Sequence, residues 1–284
     1  MQNAFTVDVE DYYHVSAFES VVSRAQWEHY PSRVVKNTHR LLDLLEKKQV
    51  RATFFILGWV ADKYPDLIRD VQRAGHEIGC HSYWHRLIYL MTPEQFREDL
   101  ILSKDLLEQI TGTPVCSYRA PSFSITQQSL WALDILAEQG FRYDSSIFPI
   151  VHDRYGIPSA ERLPHSLPTQ AGNLLEFPPS VYRILKQNVP VSGGGYFRLF
   201  PLQFSSYCLN QVNHSTGSPF MFYIHPWELD PDQPRIPASR MSRFRHYVNL
   251  GRTEEKVGRM LDQFQFSSMS EVLDQLSLTP DENH

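Results

Sequence analysis

The sequence predicts an α/β fold on a largely parallel sheet, most simply a distorted (β/α) barrel. Three observations point there. Short β-type runs alternate with helical patterns over most of the length, polar motifs fall at the C-terminal ends of those runs, and no repeat or linker interrupts the rhythm. The 284 residues, 42 % hydrophobic and 21 % charged, suit one large domain whose core needs no disulfide staples. Cys80, Cys116 and Cys208 are scattered, without a CxxC, and fit a reducing compartment. A net charge of −5 and the lack of a Lys/Arg cluster argue against nucleic acid as a partner. The opening stretch MQNAFTVDVEDYYH has neither the basic nor the apolar region of a secretory signal. The longest apolar run, TFFILGWVA from Thr53, is far shorter than the roughly 20 residues of a membrane span. A soluble, cytoplasmic protein without a membrane span is expected.

The elements follow in order. Phe5–Glu10 alternates apolar and polar residues and reads as the first strand, and Ser32–Lys48 carries the helical stripe Val35, Leu41, Leu42, Leu45. Ala52–Leu57 is a buried-type strand, Ala61–Ala74 a helix stopped by Gly75, and His76–Cys80 a third strand. Thr92–Thr111 is the clearest helix, with Pro93 in its first turn and Gly112 past its end. Val115–Arg119, a helix at Gln127–Gln139 and Phe141–Ser145 continue the pattern. Pro149–Asn173 reads as a long loop, Leu174–Leu185 as a strand region, and Ser192–Phe200 as a glycine-led turn feeding an aromatic strand. Leu202–Asn213 reads as a helix, Pro219–His225 as an apolar strand, Ser242–Phe264 as a basic amphipathic helix, and Gln265–Leu276 as a strand-helix unit. One domain over 1–284 is expected, with 226–284 a C-terminal helical extension packed on it.

Five segments carry chemistry. His81 and His85 in CHSYWH are spaced i, i+4, close enough on a helical turn to share a metal ion, and they follow a strand end. Asp8, Glu10 and Asp11 end the first strand; Asp8 and Glu10 share one side of it, and buried carboxylates there would need a cation. Two imidazoles and one carboxylate, with a position left for water, make a catalytic rather than a structural metal set. Arg119 in YRAPSF could hold Asp8 ionised, as a general base requires. Asp144 in FRYDSS, and His225 in PFMFYIH before Pro226–Trp227, fall at the same rim. Tyr12–Tyr13, Tyr196–Phe197 and Trp227 are candidate sugar-stacking platforms, with Phe197 and Phe200 better read as core. Gly193–Gly195 lacks the GxxxxGK pattern of a phosphate loop and reads as a tight turn. Arg243, Arg245, Arg252 and Lys256 could meet an anionic surface such as a lipid-linked precursor, although a plain solvated face is the better reading of them.

Together, TVDVED, CHSYWH, YRAPSF, FRYDSS and FYIHPWE resemble, in that order, the motifs of the polysaccharide deacetylase family (nodulation-type, carbohydrate esterase family four). The likeness runs from Phe5 to about His225. VDVEDYYH, SGGGYFRL and the tail after His225 resemble a subfamily tied to exopolysaccharide clusters, with an extra C-terminal region. The resemblance implies a distorted α/β barrel with one divalent metal, zinc foremost and cobalt, manganese or nickel as others, held by His81, His85 and a carboxylate. It implies Asp8 as general base tuned by Arg119, His225 as general acid oriented by Asp144, and the Ser122 backbone N–H as an oxyanion donor. The usual adjacent Asp-Asp pair is replaced by Asp8-Val9-Glu10-Asp11. Strand geometry favours Glu10 as third ligand, and adjacency in the family pattern favours Asp11.

The implied activity is metal-dependent removal of N-acetyl groups from an N-acetylhexosamine-containing polysaccharide or a lipid-linked precursor. The same likeness extends to hydrolases of cyclic amides and imides of the allantoin type. A catalytically silent carbohydrate-binding protein would be expected to lack a ligand or base, and Asp8, His81, His85, Arg119 and His225 are all present.

Overall fold

A computed structural model describes residues 1–276 and 278. Eleven strands form among them: β1 Gln2–Val9, β2 Thr53–Ile56, β3 Glu77–Cys80, β4 Ser117–Tyr118, β5 Tyr143–Asp144, β6 His165–Thr169, β7 Gly172–Glu176, β8 Val181–Ile184, β9 Gln187–Pro190, β10 Met221–Ile224 and β11 Gln265–Ser267. Nine make one sheet in the order β10-β1-β2-β3-β4-β5-β7-β6, with β11 also on β1. Every pairing in it is parallel except β6 with β7. Among the described residues β6 and β10 do not pair, so the distorted barrel is an open one.

The first strand is an interior strand, paired on both edges, because both its faces are buried. Positions 3 to 9 are all buried, and Phe5, Val7 and Val9 belong to the main core. Parallel strands need crossover helices, and the apolar faces of Val34–Lys47 and Pro93–Thr111 supply two of them. Thr92 caps the second, Pro93 opens it, and Gly112 ends it in the left-handed conformation. Because β10, β1, β2, β3, β4 and β5 run parallel, their C-terminal ends share one rim, where the five motifs lie.

Several expectations need correction. Ala61–Ala74 is two helices, Gly58–Lys63 and Pro65–Arg73, because Pro65 cannot continue the first and Tyr64 before it leaves helical geometry. The expected loop Pro149–Asn173 contains β6, which returns as a hairpin partner of β7. Gly194–Leu199 is a helix, not an aromatic strand. Its glycines allow a close approach: a Cβ on Gly193 would lie 2.1 Å from the Tyr223 carbonyl oxygen. Phe197 is buried there and Phe200 half-buried. The basic helix expected over Ser242–Phe264 is two helices, Arg240–Tyr247 and Thr253–Leu261, parted where Asn249 turns left-handed. The residues after 226 are not purely helical either, since β11 pairs with Gln2–Ala4 of β1 in the central sheet. No helix among the described residues is long and apolar enough to cross a membrane.

Candidate metal and catalytic site

At the C-terminal rim of β1, β3, β4 and β10 lies a cavity of about 250 Å3 whose lining includes Asp8, Glu10, His81, His85, Ser122 and His225. Its floor is polar and its walls are largely apolar, from Phe123, Tyr155, Tyr196, Tyr223, Trp227 and Phe244.

His81 and His85 converge, with ring centroids 5.4 Å apart, but not on a helical turn. The segment is a loop in which Ser82 and His85 take positive φ, 59° and 51°. Two features hold this unfavourable backbone. The Asp99 carboxylate accepts hydrogen bonds from Tyr83 N (2.8 Å) and Trp84 N (3.2 Å), and the Ser82 carbonyl accepts from Gly58 N (2.8 Å). Gly58 must be glycine, because a Cβ there would stand 2.6 Å from the Tyr83 ring and 2.8 Å from Ser103 Oγ. His81 Nδ1 donates to the Arg119 carbonyl at 2.8 Å, which leaves Nε2 as a lone-pair donor. Burial lowers the His81 pKa to about 4, keeping the ring neutral as a ligand must be.

Glu10, His81 and His85 each offer one ligand atom, all within 4.8 Å of one another. Glu10 Oε2 is 2.7 Å from His85 Nε2, yet this buried oxygen has no hydrogen-bond partner. A carboxylate oxygen and an imidazole nitrogen so close without a well-directed proton fit a shared cation. Burial opposes ionisation of Glu10, but His85, His225 and His81 outweigh it and hold the carboxyl far below the usual range. The donor set therefore fits a divalent ion.

Asp11 is elsewhere. Its carboxylate accepts from Ser32 Oγ (2.7 Å), Arg33 N (2.7 Å), Val34 N (3.0 Å) and Tyr12 N (3.0 Å), anchoring the start of the helix Val34–Lys47. Adjacency in sequence gave it the wrong role because the chain turns after Val9. Tyr12 and Tyr13 are buried and cannot stack on a sugar.

Asp8 lies beside the triad. Its Oδ1 accepts from Arg119 NH1 at 2.6 Å, and Arg119 NH2 is fixed by Ser145 Oγ at 3.0 Å. The guanidinium is wholly buried and stacks 4.3 Å from the Phe55 ring. Asp8 Oδ2 faces His225 Nε2 at 3.8 Å, and Glu10 Oε1 faces the same nitrogen at 3.5 Å.

His225 is oriented by Glu228, not by Asp144. Its Nδ1 is 2.8 Å from Glu228 Oε1, while Glu228 Oε2 accepts from Arg198 Nε at 2.6 Å. The ring stacks on Trp227, which stacks on His246. Burial disfavours charge on His225, but its hydrogen bond to Glu228 and the carboxylates of Glu10, Glu228 and Asp8 outweigh it and raise the pKa to about 9. Sequence reading missed Glu228 and Arg198. The signal was the glutamate three residues past His225 in HPWE, where it also completes a capping box. Nothing local marked Arg198, which is 30 positions away.

Asp144 is buried one strand over, in register with Glu176. Each carboxyl has one oxygen satisfied, Asp144 Oδ1 by Ser146 Oγ (2.5 Å) and Glu176 Oε1 by Ile147 N (3.1 Å); Asp144 Oδ2 and Glu176 Oε2 lack other partners. Burial raises both pKa values, Asp144's to about 6, and the pair is stable sharing a proton. Ser146 Oγ also accepts from Ala120 N at 2.9 Å, so the pair braces the strand end that carries Arg119. The sequence placed Asp144 at the rim but could not show which neighbour it faces.

The family model for polysaccharide deacetylase matches residues 27–143, and a domain of unknown function (DUF3473) matches 145–274. The peptidoglycan-N-acetylglucosamine deacetylase of Bacillus cereus is 27 % identical over 143 residues, 46 % of this chain and 51 % of that protein. The chain thus spans about half the length of this curated relative. A solved structure from Mycobacterium smegmatis, described as a candidate polysaccharide deacetylase, is 23 % identical, with a TM-score of 0.64 over 99 % of this chain and 92 % of that one. A carbohydrate esterase family 4 pseudoenzyme from Bacillus anthracis aligns at 14 % identity and TM-score 0.50 over 96 % and 66 %. These structures share the fold.

Proposed function

Since the chain belongs to the polysaccharide deacetylase family (carbohydrate esterase family 4), with the extra C-terminal region of one subfamily, we propose that it is a metal-dependent N-deacetylase of an N-acetylhexosamine-containing glycan. The observation that carries this reading is the meeting, in one cavity, of a carboxylate-bis-imidazole set with two proton carriers, each held by its own ion pair.

Glu10, His81 and His85 would hold the ion, which when bound supplies Lewis acidity to the amide carbonyl and acidifies water. Asp8, oriented by Arg119, takes the proton of the attacking water. The Ser122 backbone N–H, in a left-handed turn (φ 54°) on the cavity wall, donates to the developing oxyanion. His225 delivers a proton to the departing amine, which cannot leave as an anion. Glu228 accepts the Nδ1–H and favours the imidazolium, whose second proton sits on Nε2, facing the cavity. Tyr196 and Tyr155 on the wall are the surfaces on which a sugar ring would stack.

The test is acetate release from N-acetylated chito-oligomers and peptidoglycan fragments, with small cyclic imides run in parallel. Release stopped by EDTA, restored by zinc, cobalt or manganese, and lost in His81→Ala supports the reading. Turnover of imides alone would replace it with a cyclic-amide hydrolase. Metal binding without turnover of either would leave a silent glycan-binding protein.

A further inference from the structure

The helix Arg240–Tyr247 is fixed from one side only. His246 is buried, stacks 4.0 Å from the Trp227 ring, and its Nε2 is 2.7 Å from Gln233 Oε1; the Tyr247 hydroxyl accepts from Ile236 N at 2.8 Å. The opposite face, Arg240, Met241, Arg243, Phe244 and Arg245, is exposed. Met241 and Phe244, spaced i, i+3, share that face and are 60 % and 56 % exposed. Leu199, 47 % exposed, joins Phe244 in lining the cavity. Val151, 86 % exposed, is in the loop whose Asp153 reaches Arg245 at 3.8 Å. One end of the cavity is therefore rimmed by protruding apolar side chains set among arginines.

The charge there opposes that of the whole chain. The protein carries −5, but Arg240–Tyr247 has three arginines and no acid, with Arg235 4.1 Å from the Tyr247 ring beside it. Apolar side chains standing out of a basic helix face are the chemistry of an interfacial membrane contact, the arginines meeting lipid phosphates while Met and Phe enter the headgroup boundary. We propose that this rim docks on an anionic bilayer and turns the cavity mouth toward it, so that the glycan reaches the site from the membrane surface. The proposal rests on the deacetylase reading only for what the cavity does once docked.

The experiment is co-sedimentation of the full chain with vesicles of phosphatidylcholine alone and of phosphatidylcholine with phosphatidylglycerol, at low and high salt. Binding is expected to the anionic vesicles only and to weaken with salt. The variant R240E/M241S/R243E, none of whose positions lines the cavity, is expected to bind at least about tenfold more weakly. It should retain the wild-type circular dichroism spectrum and acetate release from a soluble oligomer. His81→Ala should bind vesicles like the wild type, which separates docking from chemistry. No binding to anionic vesicles, equal binding by the triple variant, or retention of a soluble anionic polysaccharide in place of vesicles would overturn the proposal.

Discussion

Glu228→Gln isolates what a buried carboxylate does for His225. The substitution keeps an oxygen near Nδ1 and removes the charge that both His225 and Arg198 face. Raising His225 from 6.5 to about 9 favours the imidazolium by about 3 kcal/mol, and a charged hydrogen-bond partner accounts for about 1–2 kcal/mol of such an effect. Because the folded value lies above the unfolded one, this contribution is complete below about pH 6.5 and is lost as pH rises through about 9. Metal-free wild-type protein should therefore lose stability across that window, and the variant should lose less. Arg198 keeps its bonds to the carbonyls of His246, Val248 and Arg245, so its missing ion pair adds a cost of about 1–3 kcal/mol that does not vary with pH.

Function follows the same logic. Glu228 is buried and does not line the cavity, so KM should hold while kcat falls about ten- to a hundredfold and the alkaline limb of its pH profile moves down. Urea unfolding at pH 6, 7.5 and 9, histidine NMR titration and the kcat profile read the three effects separately. An unchanged His225 titration in a folded variant would refute the assignment of Glu228 as the residue that sets the acid.

Four further outcomes are expected. Glu10→Gln should abolish tight metal binding by calorimetry and also lower stability at neutral pH, since the charge it removes faces His85 and His225. Asp11→Ala should instead cost about 2 kcal/mol or more by removing four hydrogen bonds at a helix start, while metal still binds. Glu176→Gln keeps an acceptor for Ile147 N and gives Asp144 Oδ2 a donor. Both pKa values of the native pair are raised, so its stability is highest in acid and falls as pH climbs through about 6. The variant should flatten that fall and unfold at higher urea at pH 8; a lower midpoint there would count against proton sharing. Gly58→Ala should destabilise the protein and weaken metal binding together, because Tyr83, which lies within the loop from His81 to His85, must move. Loss of stability with unchanged metal affinity would show that the loop tolerates the shift.

The sequence alone determined the alternation of strands and helices, the rim on which the motifs fall, and the identity of Asp8, His81, His85, Arg119 and His225 as the residues to follow. Those are local facts: hydrophobic period, capping residues and motif wording survive without knowing what lies across the sheet. It left Glu10 and Asp11 open, the strand period pointing to one and adjacency to the other, and the decision needed the helix start at Ser32–Val34, which claims Asp11. Tertiary structure alone decided that Glu228 rather than Asp144 orients His225, that Arg198 braces Glu228, and that Asp144 lies in register with Glu176. A buried charge is settled by whichever opposite charge or donor the fold delivers within about 3 Å, and such partners come from any distance along the chain.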